Sequence, residues 1–451
     1  MFIKRKLYNS LKNWKNNLNS NLLIIDGAIQ VGKTTLAKEF AKNEFKNYLF
    51  LDTVIEYKKL EKLCKTQEFT LDIFSTYLKN SFNVTLNNED LLLIFDNVDG
   101  DSTLLILGLY SRIKSLNLNF KMIALRKMMP LKNTWVKKDY PDVTNLRLNP
   151  LDFEEFLIAF KEENLVHLIK DSFTTLTPLK SSIHSKAMTY FKMFLLIGGM
   201  PAAVSTYIKN NDVSACEEIK KEILELYKKE VNKISYCYKE KVNMIFEQIP
   251  ELLSSKDKRI IFKNILEGSF SEQFKNPLNW LEKTMLSNEC YSTSDISNGL
   301  KINSTRTYIK CYLNDTGLLF TETVNKGLFN NDEISLENNS LFTLNKSILF
   351  ENAIAQMLVA NSHPLFFYTH YSNIKHRYDI EIEFLLEDKS SNVTKLIPIK
   401  VHPSQKNSNL SLSRFIETNK PLIKNSYFVY IGNLMQVNDV TCIPPYMIMC
   451  I

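Results

Sequence analysis

The chain has 451 residues, enough for two or three domains, and its 45% apolar and 23% charged content is that of an ordinary globular protein rather than a disordered or fibrous one. Its 56 Lys+Arg against 49 Asp+Glu leave a net charge of +7, which is compatible with nucleic acid and too diffuse to require it. Seven Cys without a C-x-x-C pair or a His at zinc spacing exclude a zinc module and point to a reducing compartment, so a cytoplasmic location is expected.

Leu7, Leu11, Trp14 and Leu18 recur at helical spacing, so residues 1–19 are expected to form an amphipathic helix docked on the next domain. The apolar run Leu22–Asp26 then leads into Gly27-Ala28-Ile29-Gln30-Val31-Gly32-Lys33-Thr34-Thr35, with Leu36 and Phe40 starting a helical pattern. A G-x-x-x-x-G-K-T between a strand and a helix is a phosphate-binding loop. Its glycines let backbone N–H groups turn inward toward an anion, and the helix start adds a positive dipole end. Gly27, Ala28, Gln30, Val31, Gly32, Lys33, Thr34 and Thr35 are therefore the expected ATP-binding residues, with Lys33 on the β- and γ-phosphates and Thr34 on Mg²⁺.

Short apolar runs at Tyr48–Asp52, Leu91–Asp96, Lys121–Leu125 and Asn145–Leu148 alternate with helical patterns, as in a parallel α/β sheet. The run Leu91–Phe95 is apolar at every residue, as in a strand buried on both faces. Asp96 closes it, where a carboxylate can hold Mg²⁺ through its water shell. The next residue is Asn97, where nucleotide hydrolases commonly carry a Glu that polarises the attacking water. An amide cannot accept that proton, so Lys33, Asp96 and Asn97 are expected to support binding and only slow hydrolysis. Asp99 is a second carboxylate within reach, or a solvated loop acid.

From Phe153 to about 320 the sequence reads as helical with strand signal only locally, and after about 345 it alternates again: a helix at Phe350–Val359, then strands near Leu365–Tyr368, Ile380–Leu386, Lys395–Val401 and Tyr427–Ile431. Asn- and Ser-rich stretches at 324–346 and 387–394 read as loops. Met193–Ile208 is the most apolar stretch, yet Gly198, Gly199 and Pro201 interrupt it, so no membrane span is expected.

The order of the P-loop, Tyr48–Asp52 and Leu93–Asp96, followed by Leu148-Asn149-Pro150-Leu151-Asp152-Phe153-Glu154-Glu155-Phe156, Leu195–Pro201, Lys310–Leu319 and Leu349–Asn352, resembles the AAA-type ATPases of bacteria and archaea that carry a C-terminal domain of unknown function. The resemblance implies an α/β fold with a P-loop ATPase domain (20–150), a helical and winged-helix-like segment (151–325) and a C-terminal domain (345–451) similar to the PD-(D/E)XK nuclease fold. For the middle segment, Trp280–Lys283 and Tyr308–Leu319 read either as a small helical module setting Lys275, Lys283, Arg306 and Lys310 against phosphates or as a solvated helix face. For the C-terminal domain, the family pattern places acids at Glu351, Glu383 and the first position of an E-x-K on the next strand. Here Lys400 stands at that acid and His402 at the lysine. An ammonium repels a cation, so the nuclease site is expected to be degenerate, with Lys400 paired to Glu383. Asp379, Glu381 and Glu383 share one strand face by period-two alternation.

The remaining family positions also differ. No Ser or Asn follows the fourth strand at Ala124–Lys127, Pro141-Asp142 stands where the family tends to have Gly-Arg, and Arg126 and Arg147 are both candidate arginine fingers. The expected function is that of an AAA-like ATP-binding protein with slow turnover, acting as a nucleotide-gated adaptor. An active ATPase remodelling nucleic acid or a partner is one alternative, and a metal-dependent DNA nuclease another. The expected partners are ATP, then DNA or a protein, with homo-oligomer formation left open.

Overall fold

The apolar runs of the first 150 residues become five parallel strands: β1 Leu22–Asp26, β2 Asn47–Asp52, β3 Leu91–Val98, β4 Lys121–Arg126 and β5 Thr144–Arg147, in the order β2-β3-β4-β1-β5. The computed structural model describes residues 2–82, 84, 91–116, 120–127, 140–234, 236–293, 295–296, 299–329, 347–373, 376–389, 394–403 and 410–451. These fall into two compact units, residues 1–149 with 283–285, and residues 150–282 with 286–451.

In the first unit the helices are α1 Leu7–Asn16, α2 Lys33–Glu44, α3 Thr53–Lys65, α4 Leu71–Phe82 and α5 Gly100–Ser115. Leu22, Ile24, Leu93, Phe95, Met122 and Ala124 form one apolar core with Leu60, Phe74, Ile106 and Tyr110 from the helices. α1 docks through Leu11 and Trp14 as the spacing requires. Leu18, grouped with them in the sequence, is 89% exposed because the helix has already ended at Asn16. A parallel sheet gathers the C-terminal ends of its strands on one edge, where open α/β sheets bind their ligands. The P-loop, Asp52, Asp96 and Arg126 all lie at such ends.

The second unit begins with α6 Phe153–Ala159, α7 Glu163–Thr175, α8 Ser181–Ile197, α9 Pro201–Asn210, α10 Val213–Val231, α11 Tyr236–Ser254, α12 Phe262–Ile265 and α13 Ser271–Thr284. β6 Ser287–Thr293, β7 Ser304–Leu313, α14 Thr316–Asn325, α15 Ser347–Ala360, β8 Leu365–Ser372 and β9 Arg377–Ile382 follow. The chain ends with β10 Phe384–Asp388, β11 Lys395–Val401, α16 Leu410–Asn419, β12 Tyr427–Val429, β13 Met435–Val437 and β14 Val440–Ile443. Two sheets result, β7-β6-β8-β9 and β10-β11-β12-β14-β13. β6, from the stretch expected as winged-helix-like, pairs in parallel with β8, from the stretch expected as C-terminal.

Several local expectations are corrected. Tyr308–Leu313 is strand rather than helix, and Lys310 on it is 3% exposed, so it is unavailable to phosphates. The single strand expected at 380–386 is two, broken at Glu383. Glu381 stays exposed while Glu383 is buried, so the break ends the shared acidic face. The apolar stretch 193–208 is two helices, α8 and α9, meeting at a 119° bend, and among the described residues no single helix is long and apolar enough to cross a membrane. Of the loops expected at 324–346 and 387–394, residues 330–346 and 390–393 lie outside the described residues, while 324–325 still belong to α14 and 387–388 to β10.

The glycine motifs read along residues 195–201 and 315–319 meet at one buried junction. Asp315 caps α14 by accepting from Leu318 N (3.0 Å), and its other oxygen accepts from Gly199 N (2.5 Å) and Gln356 Nε2 (3.3 Å). Gly199 O accepts from Leu151 N at 2.7 Å, and Gln356 Nε2 reaches Leu151 O at 3.1 Å. A side chain on Gly199 would collide with the Leu151 carbonyl. These motif residues therefore hold α6, α8, α14 and α15 together, a packing role rather than a chemical one.

Candidate nucleotide site

β1 ends at Asp26 and the chain enters the loop through Gly27, where a Cβ would come within 2.7 Å of the Leu148 carbonyl and 2.9 Å of Val31 Cγ2. Gly32 sits at φ 93°, in the left-handed region, and caps α2. Gln30 is also left-handed, at φ 66°. These conformations turn the loop back over the start of α2, the geometry of an anion cradle. Lys33 lies in that cradle, buried, with Nζ donating to Gly27 O (2.7 Å) and Ala28 O (2.8 Å). Burial pushes the Lys33 ammonium down to about 8, Lys127 adds to the drop, and Asp96 and Asp26 oppose it. The outer wall of the loop is held by a residue that sequence patterning did not single out: Arg5 donates from Nη1 to Val31 O (2.9 Å) and from Nη2 to Asn149 O (2.6 Å).

Thr34 Oγ1 donates to Asp96 Oδ2 at 2.8 Å, which brings the two expected Mg²⁺-binding oxygens together although they are far apart in sequence. Asp96 and Asn97 occupy a bulge in β3: Phe95 pairs with Ala124 and Val98 with Arg126, so two residues face the single Leu125 of β4. A bulge re-aims side chains at a sheet edge, and such irregularities gather at active sites. Asn97 adopts φ 58°, a left-handed conformation that Asn tolerates better than most residues. Its N–H donates to Asp96 Oδ1 (2.8 Å), and its Nδ2 donates to Asp52 Oδ2 (2.8 Å) at the end of β2.

Further charged groups at this edge have defined places. Asp99 is the N-cap of α5, with Oδ1 accepting from Ser102 N (3.0 Å) and Ser102 Oγ (2.6 Å), so it is a capping acid rather than a solvated one or a base. Arg126 makes a bidentate pair with Asp26, Nε to Oδ1 at 2.5 Å and Nη2 to Oδ2 at 2.7 Å, and its side chain is 4% exposed. Buried and paired, it cannot reach a neighbouring subunit as a finger. Its Nη1 is a buried donor without a hydrogen-bond partner among the described residues. Arg147 bonds Asn149 Oδ1 at 3.1 Å.

In the second unit, Lys400 Nζ lies 2.7 Å from Glu383 Oε1, and Val401 N donates to Glu383 Oε2 at 2.8 Å. Glu351 accepts from Tyr312 OH (2.5 Å) and Lys258 Nζ, with Lys310 Nζ at 3.7 Å. Burial alone would raise Glu351, but the ammonium groups of Lys258 and Lys310 overcome it and hold the carboxyl well below the usual range. His402 stacks on Phe428, and burial lowers its pKa, with Lys400 adding to the fall. Lysines therefore stand against both acids, and among the described residues no group of three His, Cys, Asp or Glu is placed to hold a metal. Lys258 and Lys310 are not legible in the sequence as part of this cluster, because nothing in the local pattern separates a lysine turned inward from a surface one.

A family model described as a domain of unknown function, DUF8612, matches residues 188–326. No curated protein matches the sequence. Among solved structures the chain is similar to the Walker-type ATPase of Pyrococcus abyssi, with 15% identity, a TM-score of 0.42, and coverage of 71% of this chain and 96% of that one. It is also similar to a signal transduction ATPase with numerous domains (STAND) from Pyrococcus horikoshii, with 17% identity, a TM-score of 0.27, and coverage of 80% of this chain and 48% of that one. A third is Cdc6p from Pyrobaculum aerophilum, with 11% identity, a TM-score of 0.26, and coverage of 73% and 97%. The first unit has the parallel α/β fold of P-loop nucleotide-binding proteins, and that rests on its own sheet and loop geometry.

Proposed function

We propose that the chain is an ATP-binding protein of the AAA-like P-loop class that hydrolyses ATP slowly and acts as a nucleotide-gated adaptor. The observation that carries this is the convergence of three groups at one sheet edge: Lys33 in a cradle of turned backbone, Thr34 Oγ1, and Asp96 Oδ2 at 2.8 Å from it. Phosphate charge calls for a buried ammonium in a loop of turned backbone, and Lys33, held by Gly27 O and Ala28 O, meets that requirement. The hard oxygens of Thr34 and Asp96 fit Mg²⁺, which usually binds through one or two protein oxygens and substrate phosphates, and which would neutralise developing phosphate charge.

The second unit is proposed as a docking module, and its C-terminal portion as nuclease-like in descent rather than in activity. Ammonium groups occupy the surroundings of Glu351 and Glu383 that a cation would need. DNA or a protein is the proposed partner, homo-oligomer formation remains part of the proposal, and the proposed location is cytoplasmic. Titration of the full chain with ATP and Mg²⁺, with and without Lys33→Ala, tests the central claim. Saturable binding lost in the variant supports it; equal binding by both proteins ends it.

A further inference from the structure

We infer that Asp52 and Asn97 work as one water-holding pair, with Asn97 Oδ1 orienting the attacking water and Asp52 acting as the positioning residue that fixes it. The inference rests on the nucleotide site proposed above.

A carboxylate only accepts hydrogen bonds, so the end of the Asn97 amide facing Asp52 Oδ2 at 2.8 Å is its NH₂. That fixes the orientation of the amide and leaves Oδ1 as an acceptor. The Asn97 backbone N–H is tied to Asp96 Oδ1, so the residue is held at two points. Asp52 is held equally firmly. Its Oδ1 accepts from Val54 N at 2.9 Å as the cap of α3, Thr53 Oγ1 straps the end of β2 to Asp96 O at 2.8 Å, and Asp52 and Asp96 are register partners.

Local structure accounts for only half of this arrangement. A helix cap uses one carboxylate oxygen, and a left-handed bulge position needs only a tolerant residue. Neither requires the second Asp52 oxygen to grip the Asn97 amide across two strands. The grip also has a chemical consequence: a charge-assisted bond to Nδ2 polarises the amide and makes Oδ1 a stronger acceptor.

The step follows. A water held by Asn97 Oδ1 attacks the γ-phosphorus, its O–P bond forming as the bond to the β,γ-bridging oxygen breaks, and ADP leaves with the electron pair. The water proton passes to an oxygen of the transferred phosphoryl group, since the amide cannot accept it. Phosphoryl transfer through a loose transition state depends mainly on positioning, so an amide suffices for slow turnover.

The experiment measures ATP affinity, KM and kcat for wild type, Asp52→Asn, Asn97→Asp and the exchange Asp52→Asn with Asn97→Asp. Asn caps a helix as well as Asp does, so Asp52→Asn preserves the cap and any purely structural role. The expected result is unchanged affinity and KM with kcat lowered roughly tenfold or more. Asn97→Asp sets a third carboxylate beside Asp52 and Asp96 and also falls. The exchange re-forms the amide–carboxylate bond in the opposite sense and restores kcat to wild type or above. Wild-type kcat in Asp52→Asn, or ATP binding by wild type with no turnover, overturns the pair and leaves the nucleotide site standing. Failure of wild type to bind ATP overturns the site itself and the pair with it.

Discussion

The chain holds two clusters that set lysine against carboxylate, and they solve opposite problems. At the edge of the first sheet, Lys33 is buried but donates to backbone carbonyls, while Asp96 is bonded by Thr34 and a backbone N–H rather than by a cation. Its charges are placed and not cancelled. In the second unit, Glu351 is neutralised by Lys258 and Lys310, and Glu383 by Lys400. A site that is to receive a charged ligand keeps its own charges short of partners, whereas the second cluster balances its acids from within.

The largest expected effect breaks the internal neutralisation. Glu351→Gln leaves a buried ammonium, Lys310, and a partly buried one, Lys258, facing a neutral amide and should destabilise the second unit by about 3 kcal/mol, read as a fall in its urea midpoint. Replacing Lys400 by Met together with Glu383 by Leu should change stability little, because both charges leave at once. The pH dependence has a definite sign. The Glu351 pKa is depressed on folding, so its contribution is fully present above the unfolded value near 4.5 and is lost as pH falls through the folded one. The Gln variant should lose that acid limb.

At the open site, Lys33→Ala removes the charge that meets the phosphates and should weaken ATP binding roughly 100-fold, about 3 kcal/mol, with little change in the thermal midpoint. The titration of Lys33 sharpens the contrast with Glu351. Its folded pKa of about 8 lies below the ordinary 10.5, so between those values the unfolded chain holds a proton that the folded chain has released. Stability contributed by this group therefore rises with pH across that window. ATP affinity moves the other way, because the phosphates need the ammonium, and should fall by up to about tenfold per pH unit above 8. Calorimetry in buffers of different ionisation enthalpy should show proton uptake on binding there, and none in Lys33→Ala.

The open site was more legible in the sequence than the closed one, for a physical reason. Residues 27–35 carry their chemistry contiguously, and Asp96 follows a strand whose burial shows in its composition. Asp52, Arg5 and the Asp26–Arg126 pair are not legible in the sequence because their partners lie on other strands or in distant loops, and no local period encodes such contacts. In the sequence Lys310 reads as a surface lysine of a helical stretch. Its strand, β7, places a charge on a buried face and so violates the alternation by which strands are recognised. Period-two alternation puts Glu383 on the face of Glu381 because a one-residue break between strands leaves no composition signal. The motifs at 195–201 and 315–319 were visible as motifs, yet their role as a packing junction needed the fold.

The smallest expected effect tests whether a carboxylate near the open site is there for chemistry at all. Asp99 lies two residues beyond Asn97, but both its oxygen Oδ1 and its own N–H are engaged with Ser102 in a capping box. Asp99→Ala should lower the stability of the first unit by about 1 kcal/mol and leave ATP affinity and kcat where they were. Asp99→Ser, which retains a capping oxygen, should recover most of that loss. A collapse of kcat in Asp99→Ala with the melting temperature unchanged would make Asp99 a base and remove the reason for assigning the water to Asn97 and its Asp52 clamp.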